Sequence, residues 1–437
     1  SEEERSFLAS KVAGSGLGVS YTDLEKATQV LLVAFEPEDE CGAIFLRLRK
    51  AVLKGGLKVT SVAPFTSKGS AKLSARLLRA APGTEAEVLA SIAEGGQNAD
   101  LVEALKGGVI LVGERAARAP GLLSAALELA ERTGARLQWV PRRAGDRGAI
   151  EAGLLPGLLP FGRPLDDAAS REQMGWTLPQ ARGLDASAQL EGAINSSVSA
   201  LVVGGVDVRD FEDPAGALRA FEAVPFLVSL EVRTSDVTEL ADVVLPVATP
   251  TEKNGTFINW EGRLRPFGQA ISARSLTDRE VFTRLAEEFG VDLGITTLTD
   301  LYEEANTLMD SSGAREKFTP LSAPAPTPVN AGQAILATHK PMLDAGRLQD
   351  GAPWLAGSAR RPIILASENT LAAAGIAPGS ALTLTNERGS IELPAFAADL
   401  PDSVVWVPEC SQGSLVHQSL GTAGALVTLS ATGEVAR

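Results

Sequence analysis

Three stretches of the chain repeat one pattern: four or five consecutive apolar residues, a turn, a helix-length segment, and a second strand-length run. The first pair of runs lies at 30–33 and 58–62, the second at 109–113 and 136–140, the third at 200–204 and 226–230. Continuous apolar runs this short read as strands buried on both faces, the product of βαβ crossovers. After the first run, Ile44, Leu48, Ala51 and Val52 share one helix face, with Arg47, Arg49, Lys50 and Lys54 largely on the other. That basic cluster reads as a solvated face, with a docking surface for a neighbouring subunit as the alternative. The pattern predicts an α/β region over 1–300, mostly parallel sheets flanked by helices, with βαβ units at 30–62, 109–140 and 200–230. Such sheets bind ligands at the carboxyl ends of their strands. The residues just after Val33, Gly113 and Gly204 therefore decide what could be held.

Outside these units the pattern changes. Residues 1–20 are charged and then carry Gly14, Gly16 and Gly18, ahead of a helix start at Thr22-Asp23-Leu24-Glu25. The glycine spacing is that of a phosphate loop, but no strand precedes it, so it reads as a plain loop. A long irregular stretch over 141–185 carries Arg142, Arg143, Arg147 and Arg163 among glycines and prolines, as functional or interface loops do. Residues 301–360 read as a linker laid over a surface, with Pro320, Pro324, Pro326 and Pro328 close together and a short helical pattern near 335–348. From 361 to the end, short alternating runs and turn signals predict a closed β-barrel domain. A hairpin is expected across Asn386-Glu387-Arg388-Gly389, with further strands at 404–407 and 425–429.

Composition narrows the function classes. The net charge of −14 argues against a nucleic-acid surface, which needs clustered Lys and Arg. Two cysteines, Cys41 and Cys410, are too few for an iron–sulfur cluster, and two histidines, His339 and His417, leave little for zinc. No disulfide framework is implied, so a reducing compartment is the default. With no apolar run long enough to cross a bilayer, no direct membrane insertion is expected. The chain begins Ser1-Glu2-Glu3-Glu4 without an initiator Met, which suggests a processed product or a fragment.

Particular segments then resemble a known family. Asp23-Leu24-Glu25-Lys26-Ala27 followed by 30–33, the helix beginning Phe45-Leu46-Arg47, and Pro82-Gly83-Thr84-Glu85 are similar to the molybdopterin oxidoreductase superfamily. More specific are 239–246, with Ala241-Asp242-Val243-Val244-Leu245-Pro246, and 252–263, with Gly255-Thr256-Phe257, Asn259, and Glu261-Gly262-Arg263. Within the superfamily, 140–149, 158–164 and Gly346-Arg347-Leu348-Gln349-Asp350-Gly351 resemble the large iron–sulfur (G) subunits of bacterial respiratory NADH–quinone oxidoreductase, complex I. The resemblance implies a molybdopterin oxidoreductase-like α/β region followed by a double-psi β-barrel-like domain. It implies the peripheral arm of an electron-transport complex on the cytoplasmic side of the inner membrane. The partners implied are the NADH-oxidising and quinone-side subunits, with the iron–sulfur clusters on residues that precede this sequence.

Catalytic members of the superfamily have a glycine and Asn-Pro after the first strand, where backbone approaches the nucleotide diphosphate. Here that turn reads Ala34-Phe35-Glu36-Pro37, followed by Glu38, Asp39 and Glu40. A carboxylate about 5 Å from a phosphate costs roughly 3 kcal/mol at an effective dielectric near 20, about two orders of magnitude in affinity. Phe35 adds bulk. The next turn, Ala63-Pro64-Phe65, has no charge for a ribose or a base, and Val206-Asp207-Val208 follow Gly204-Gly205 in the third unit. No catalytic, cofactor-binding or metal-binding residue is therefore expected, and the chain reads as a cofactor-free scaffold. The alternative is part of a true molybdenum–bis(pterin guanine dinucleotide) enzyme such as a formate dehydrogenase or nitrate reductase. A free-standing nucleotide-binding module is the third possibility.

The remaining candidates have bland readings. Cys41 stands at a helix start, where the dipole would lower its pKa and the neighbouring carboxylates would oppose that. Cys410 reads as packing, His339 as a linker residue and His417 as a barrel residue. Asn254-Gly255 is a turn that projects Thr256, Asn259, Glu261 and Arg263, with Glu261 and Arg263 expected to pair with the surrounding domains.

Overall fold

The computed structural model describes residues 1–96, 98–179, 183–295, 297–309 and 313–431. The chain forms two compact units. One comprises Ser1–Phe7, Leu17–Arg142 and the chain from Thr319 onward; the other comprises Leu8–Gly16 and Arg143–Phe318.

The first unit opens with a five-stranded parallel sheet. Its strands are β1 (Gln29–Val33), β2 (Lys58–Ala63), β3 (Arg76–Arg79), β4 (Val109–Gly113) and β5 (Arg136–Val140), in the order β3-β2-β1-β4-β5. The central strands β1 and β4 are buried along their whole length, so each Val, Ile or Leu there contributes about 1.5–3 kcal/mol through removal from water. Helix Gly42–Leu53 crosses from β1 to β2, burying Ile44, Phe45, Leu48 and Ala51. Its basic face is held locally, with Arg47 and Lys50 both on Glu25 at 2.6 and 2.7 Å. Helix Leu122–Thr133 crosses from β4 to β5. Its first turn is capped by buried Glu3, which accepts from the Gly121 and Ser124 amides at 2.8 and 2.9 Å.

The second unit contains the third βαβ pattern, which makes a sheet of its own. Strands β6 (Leu201–Gly204), β7 (Leu227–Glu231) and β8 (Val243–Pro246) are parallel in the order β8-β7-β6. Leu201, Val208, Ala220, Phe221 and Leu227 form its core with helix Pro214–Ala223. A hairpin follows, β9 (Gly255–Ile258) with β10 (Leu264–Phe267). The stretch expected to be irregular contains helices Asp146–Glu151 and Ala168–Met174. Arg147 there is fully buried, paired with Glu151 at 2.7 Å, and Glu151 in turn accepts the Gly14 amide at 2.6 Å. The glycine loop is thus tied down by a carboxylate of its own unit.

The chain then returns to the first unit. Thr319 N donates to Ser6 Oγ and Leu321 N to Ser124 Oγ, laying the proline-rich segment on that unit. Next come β11 (Gln333–His339), β12 (Ile364–Ala366), β13 (Ala381–Asn386), β14 (Gly389–Ala397), β15 (Val404–Pro408) and β16 (Leu426–Ala431). They close a barrel in the order β11-β15-β12-β14-β13-β16. The pairs β11/β15 and β12/β14 are parallel and the others antiparallel, including the predicted β13–β14 hairpin. The segment near 335–348 differs from its expected helix: it begins with β11, and only Arg347–Gln349 is helical, as one 3₁₀ turn. β11 is buried from Ala334 to His339, and a short run buried on both faces carries no periodicity to separate strand from helix. The barrel consequently begins well before residue 361.

Candidate functional site

Chain order fixes where a ligand would sit in the five-stranded sheet. From β1 the chain moves to β2 and β3 on one side, and from β4 to β5 on the other. The carboxyl ends of β1 and β4 therefore flank the switch point, the crevice where open α/β sheets take ligands. A cavity of about 360 Å³ lies here, with Phe35, Glu36, Phe65, Arg115, Arg118 and Trp406 among its lining residues.

The β1 turn retains a glycine-like backbone without a glycine. Ala34 has φ +47°, a left-handed conformation that costs a residue with a Cβ about 1 kcal/mol. Gly113, at the end of β4, is required by close approach, because a Cβ there would collide with the Ala34 carbonyl oxygen. Glu36 then occupies the N-cap position of helix Pro37–Glu40 without a side-chain capping bond, with Pro37 in the first turn.

The carboxylates of this turn are not aimed at an open anion site. Glu40 receives Arg115 Nε on Oε1 at 2.6 Å and Arg115 Nη2 on Oε2 at 3.0 Å. Its Oε2 also accepts the Glu36 amide at 2.6 Å. Burial opposes the charge on Arg115, but Glu40, Glu409 and Glu36 together raise its pKa further. Asp39 accepts the Met342 amide at 3.2 Å and lies 3.5 Å from His339 Nε2. Trp406 Nε1 donates to His339 Nδ1 at 3.1 Å, which leaves the ring proton on Nε2, toward Asp39. Burial works against ionisation of Asp39, but the hydrogen bond and charge of His339, the Met342 amide and Arg360 together outweigh it and hold the carboxyl low.

Glu36 itself behaves differently from the expected free carboxylate. It is 6% exposed; Ser67 Oγ donates to Oε2, and Oε1 has no partner, pressed against Gly69 where a Cβ would not fit. Burial pushes its pKa up, with His339 and Ser67 opposing. A group driven toward its neutral form repels a phosphate less than the Coulomb argument assumed. The other carboxylates of this turn, Glu38, Asp39 and Glu40, are already engaged, Glu38 by Lys72.

The barrel supplies the far side. Glu409, at the end of β15, receives Arg118 Nη1 on Oε2 at 2.9 Å, and its Oε1 lies 3.3 Å from His417 Nε2. Burial disfavours its charge, yet His417 and Arg118 together hold its carboxyl well below the ordinary range. His339 ends strand β11 rather than lying in a linker, so both histidines of the chain meet the carboxyl ends of β1 and β4. Phe65 packs edge-to-face on Trp406, with centroids 5.7 Å apart, closing the wall beside β2.

Arg115 and Arg118 were not singled out by sequence reasoning. The available signal was their i, i+3 spacing just after Gly113, where two arginines outnumber the single acid Glu114. The other candidates are structural. Burial pushes the Cys41 thiol up, which makes it a poor nucleophile. Cys410 is buried. Asp207 pairs with Arg209 at 2.8 Å. Glu261 is buried between Asn259 Nδ2 at 2.8 Å and the Arg263 and Arg265 guanidiniums at 3.6 and 3.5 Å, so hairpin β9–β10 satisfies its own charges. Thr256 Oγ1 meets the Tyr302 hydroxyl at 2.9 Å.

Comparison with known proteins agrees with this architecture. The model of the molybdopterin oxidoreductase family matches residues 4–287. The chain is 48% identical over 99% of its length to the G subunit of the NADH-quinone oxidoreductase of Mycobacterium tuberculosis, and 44% identical over 96% to that of Streptomyces coelicolor. It spans about half of these relatives, 54% of each. Among solved structures, acetylene hydratase from Pelobacter acetylenicus superposes with a TM-score of 0.60 over 98% of this chain and 80% of that one, at 14% identity. That likeness establishes the fold. The α/β sheets, the closed barrel and the family match together place the chain in the molybdopterin oxidoreductase family.

Proposed function

We propose that the chain is the cofactor-free, molybdopterin oxidoreductase-like portion of a subunit of a respiratory NADH–quinone oxidoreductase. In this reading it supports electron transfer from NADH to quinone without performing a step of it. The iron–sulfur clusters belong to another part of the polypeptide, since Cys41 and Cys410 cannot supply four thiolates. The partners are the NADH-oxidising and quinone-side subunits, and the location is peripheral, on the cytoplasmic face of the membrane. Among the described residues no helix is long and apolar enough to cross a bilayer.

The observation that carries the reading is the state of the switch point. Arg115 and Arg118, the guanidiniums that line the crevice, are already held by Glu40 and Glu409. Phe35 fills the lip where backbone would approach a phosphate. The cavity of about 360 Å³ is at the small end for one small ligand and far short of two pterin dinucleotides. The residues present do not fit the family's cofactor. Sequence likeness to the G subunits of Mycobacterium tuberculosis and Streptomyces coelicolor over nearly the whole chain supports the assembly part of the proposal.

Docking in a complex also accounts for one surface feature. Leu348, in the 3₁₀ turn Arg347–Gln349, and Trp354, in the short helix Pro353–Ala356, are 94% and 93% exposed on a segment that continues into Arg360 and Arg361. Large apolar side chains presented to solvent in this way mark protein interfaces, with Trp over-represented where binding energy concentrates. The experiment is affinity purification of the native assembly through a tag on the full-length polypeptide. An NADH-oxidising, quinone-reducing complex is expected. A molybdenum-dependent formate or nitrate activity would overturn the reading.

A further inference from the structure

We infer that Glu40 and Glu409 are built-in anions, whose carboxylates occupy the cationic positions of the switch-point crevice and exclude phosphate-bearing molecules from it. The inference deepens the cofactor-free reading, and it stands on the geometry of the ion pairs.

Each element that faces the crevice contributes to a closed set of partners. The β1 turn offers the Glu36 amide, the turn after β4 offers two guanidiniums, and these are the donor types that recognise a phosphoryl group. Glu40 takes three of the donors at once: the Glu36 amide and the Nε and Nη2 of Arg115, at 2.6, 2.6 and 3.0 Å. Glu409, reaching in from the barrel, takes both terminal nitrogens of Arg118, at 2.9 and 3.4 Å. A planar, charged acceptor with two oxygens thus stands where each anionic oxygen pair of a diphosphate would find its donors.

The remaining charges leave no vacancy. His417 lies against Glu409 and Arg118, at 3.3 and 3.2 Å, and His339 is turned to Asp39. Glu36 has no cation of its own, and burial favours its neutral form. Among the described residues that line the crevice, an entering phosphate would meet no uncommitted guanidinium, and would have to displace a carboxylate that the chain supplies at very high effective concentration. Because one of the two carboxylates comes from the barrel, the same contacts fasten the barrel to the sheet.

The test is calorimetric titration of the full-length polypeptide with inorganic pyrophosphate, comparing wild type with Glu40→Gln/Glu409→Gln. The amides keep side-chain volume and release both arginines. The double variant is expected to bind pyrophosphate at least about tenfold more tightly than wild type, with affinity falling as salt rises. Arg115→Gln/Arg118→Gln added to the same background is expected to abolish the gain. Equal affinity of wild type and a folded double variant would overturn the inference, as would a gain that survives loss of the arginines. If the double variant does not fold in chloride, recovery of folding in pyrophosphate supports the inference. Failure to recover, with the neutral quadruple variant folded, overturns it. Glu409→Gln alone, which frees only Arg118, gives the same comparison with one guanidinium. A negative result here, with molybdenum absent from the native assembly, would leave the cofactor-free reading standing on cavity size and the Phe35 lip.

Discussion

Glu40 and Arg115 face each other across the switch point as a bidentate pair, one side chain from the end of β1 and the other from the end of β4. The Glu40 side chain is only 6% exposed, so removing its charge leaves a guanidinium in a poorly solvated place. Glu40→Gln is expected to cost about 3 kcal/mol in urea unfolding, and Glu40→Gln with Arg115→Gln to cost clearly less than the sum of the single changes. Additive losses would mean that the two side chains do not act as a pair.

Acid stability should report on Glu409. Its pKa is depressed in the folded chain, so its contribution is present above the ordinary value of 4.5 and is lost as pH falls through the lower folded value. Wild type is therefore expected to lose stability below about pH 4.5 more steeply than Glu409→Gln, which is weaker at neutral pH and carries no such titration. Thermal unfolding between pH 3 and pH 7, on the order of a few degrees per step, measures both slopes.

Glu36 should behave in the opposite sense. Its folded pKa is raised, so the stability associated with its neutral form is intact below 4.5 and erodes as pH rises toward the folded value. Glu36→Gln keeps the hydrogen bond with Ser67 and removes the titration. It is expected to gain on the order of 1 kcal/mol over wild type at neutral pH, with the advantage vanishing in acid. Denaturant midpoints at pH 4 and pH 7.5 give the comparison.

Ala34 offers a test of backbone strain. At φ +47° a glycine relieves the clash of the Cβ, although it gives up some entropy in the unfolded chain. Ala34→Gly is expected to stabilise the protein by about 0.5–1 kcal/mol, whereas Gly113→Ala, which forces a Cβ onto the Ala34 carbonyl, should destabilise it by more than 1 kcal/mol.

The exposed segment predicts a binding defect without a folding defect. Leu348→Ala/Trp354→Ala is expected to leave the unfolding temperature unchanged, since neither side chain is buried, and to weaken association with the neighbouring subunit by at least about 2 kcal/mol. Native gels of the assembled complex, with a melting curve of the isolated polypeptide, separate the two effects.

Much of this architecture is legible along the chain because it is local. The runs at 30–33 in β1 and 109–113 in β4 are apolar without interruption, and helix Gly42–Leu53 carries its core face at regular spacing. The helix start predicted just before β1 is present, and Ser20 and Asp23 form a capping box there. β11 was obscured because a strand buried on both faces has no alternation. The site was half legible: the acidic lip at Glu36–Glu40 stands out, but its meaning depends on strand order. Only the order β2-β1-β4 sets Glu40 beside Arg115, and only barrel closure brings Glu409 and His417, nearly 300 residues away, onto Arg118. The direction in which Glu36 is shifted was equally hidden, since its largest cause is burial, against Gly69 among others, with Asp39 and Glu40 adding less.

The central claim is that this member of the family retains the fold without the cofactor. Molybdenum and extractable pterin, quantified per copy of the full-length polypeptide in the purified native assembly, test it most directly. Both are predicted to be absent while iron is abundant; one molybdenum with two pterins per copy would contradict the account.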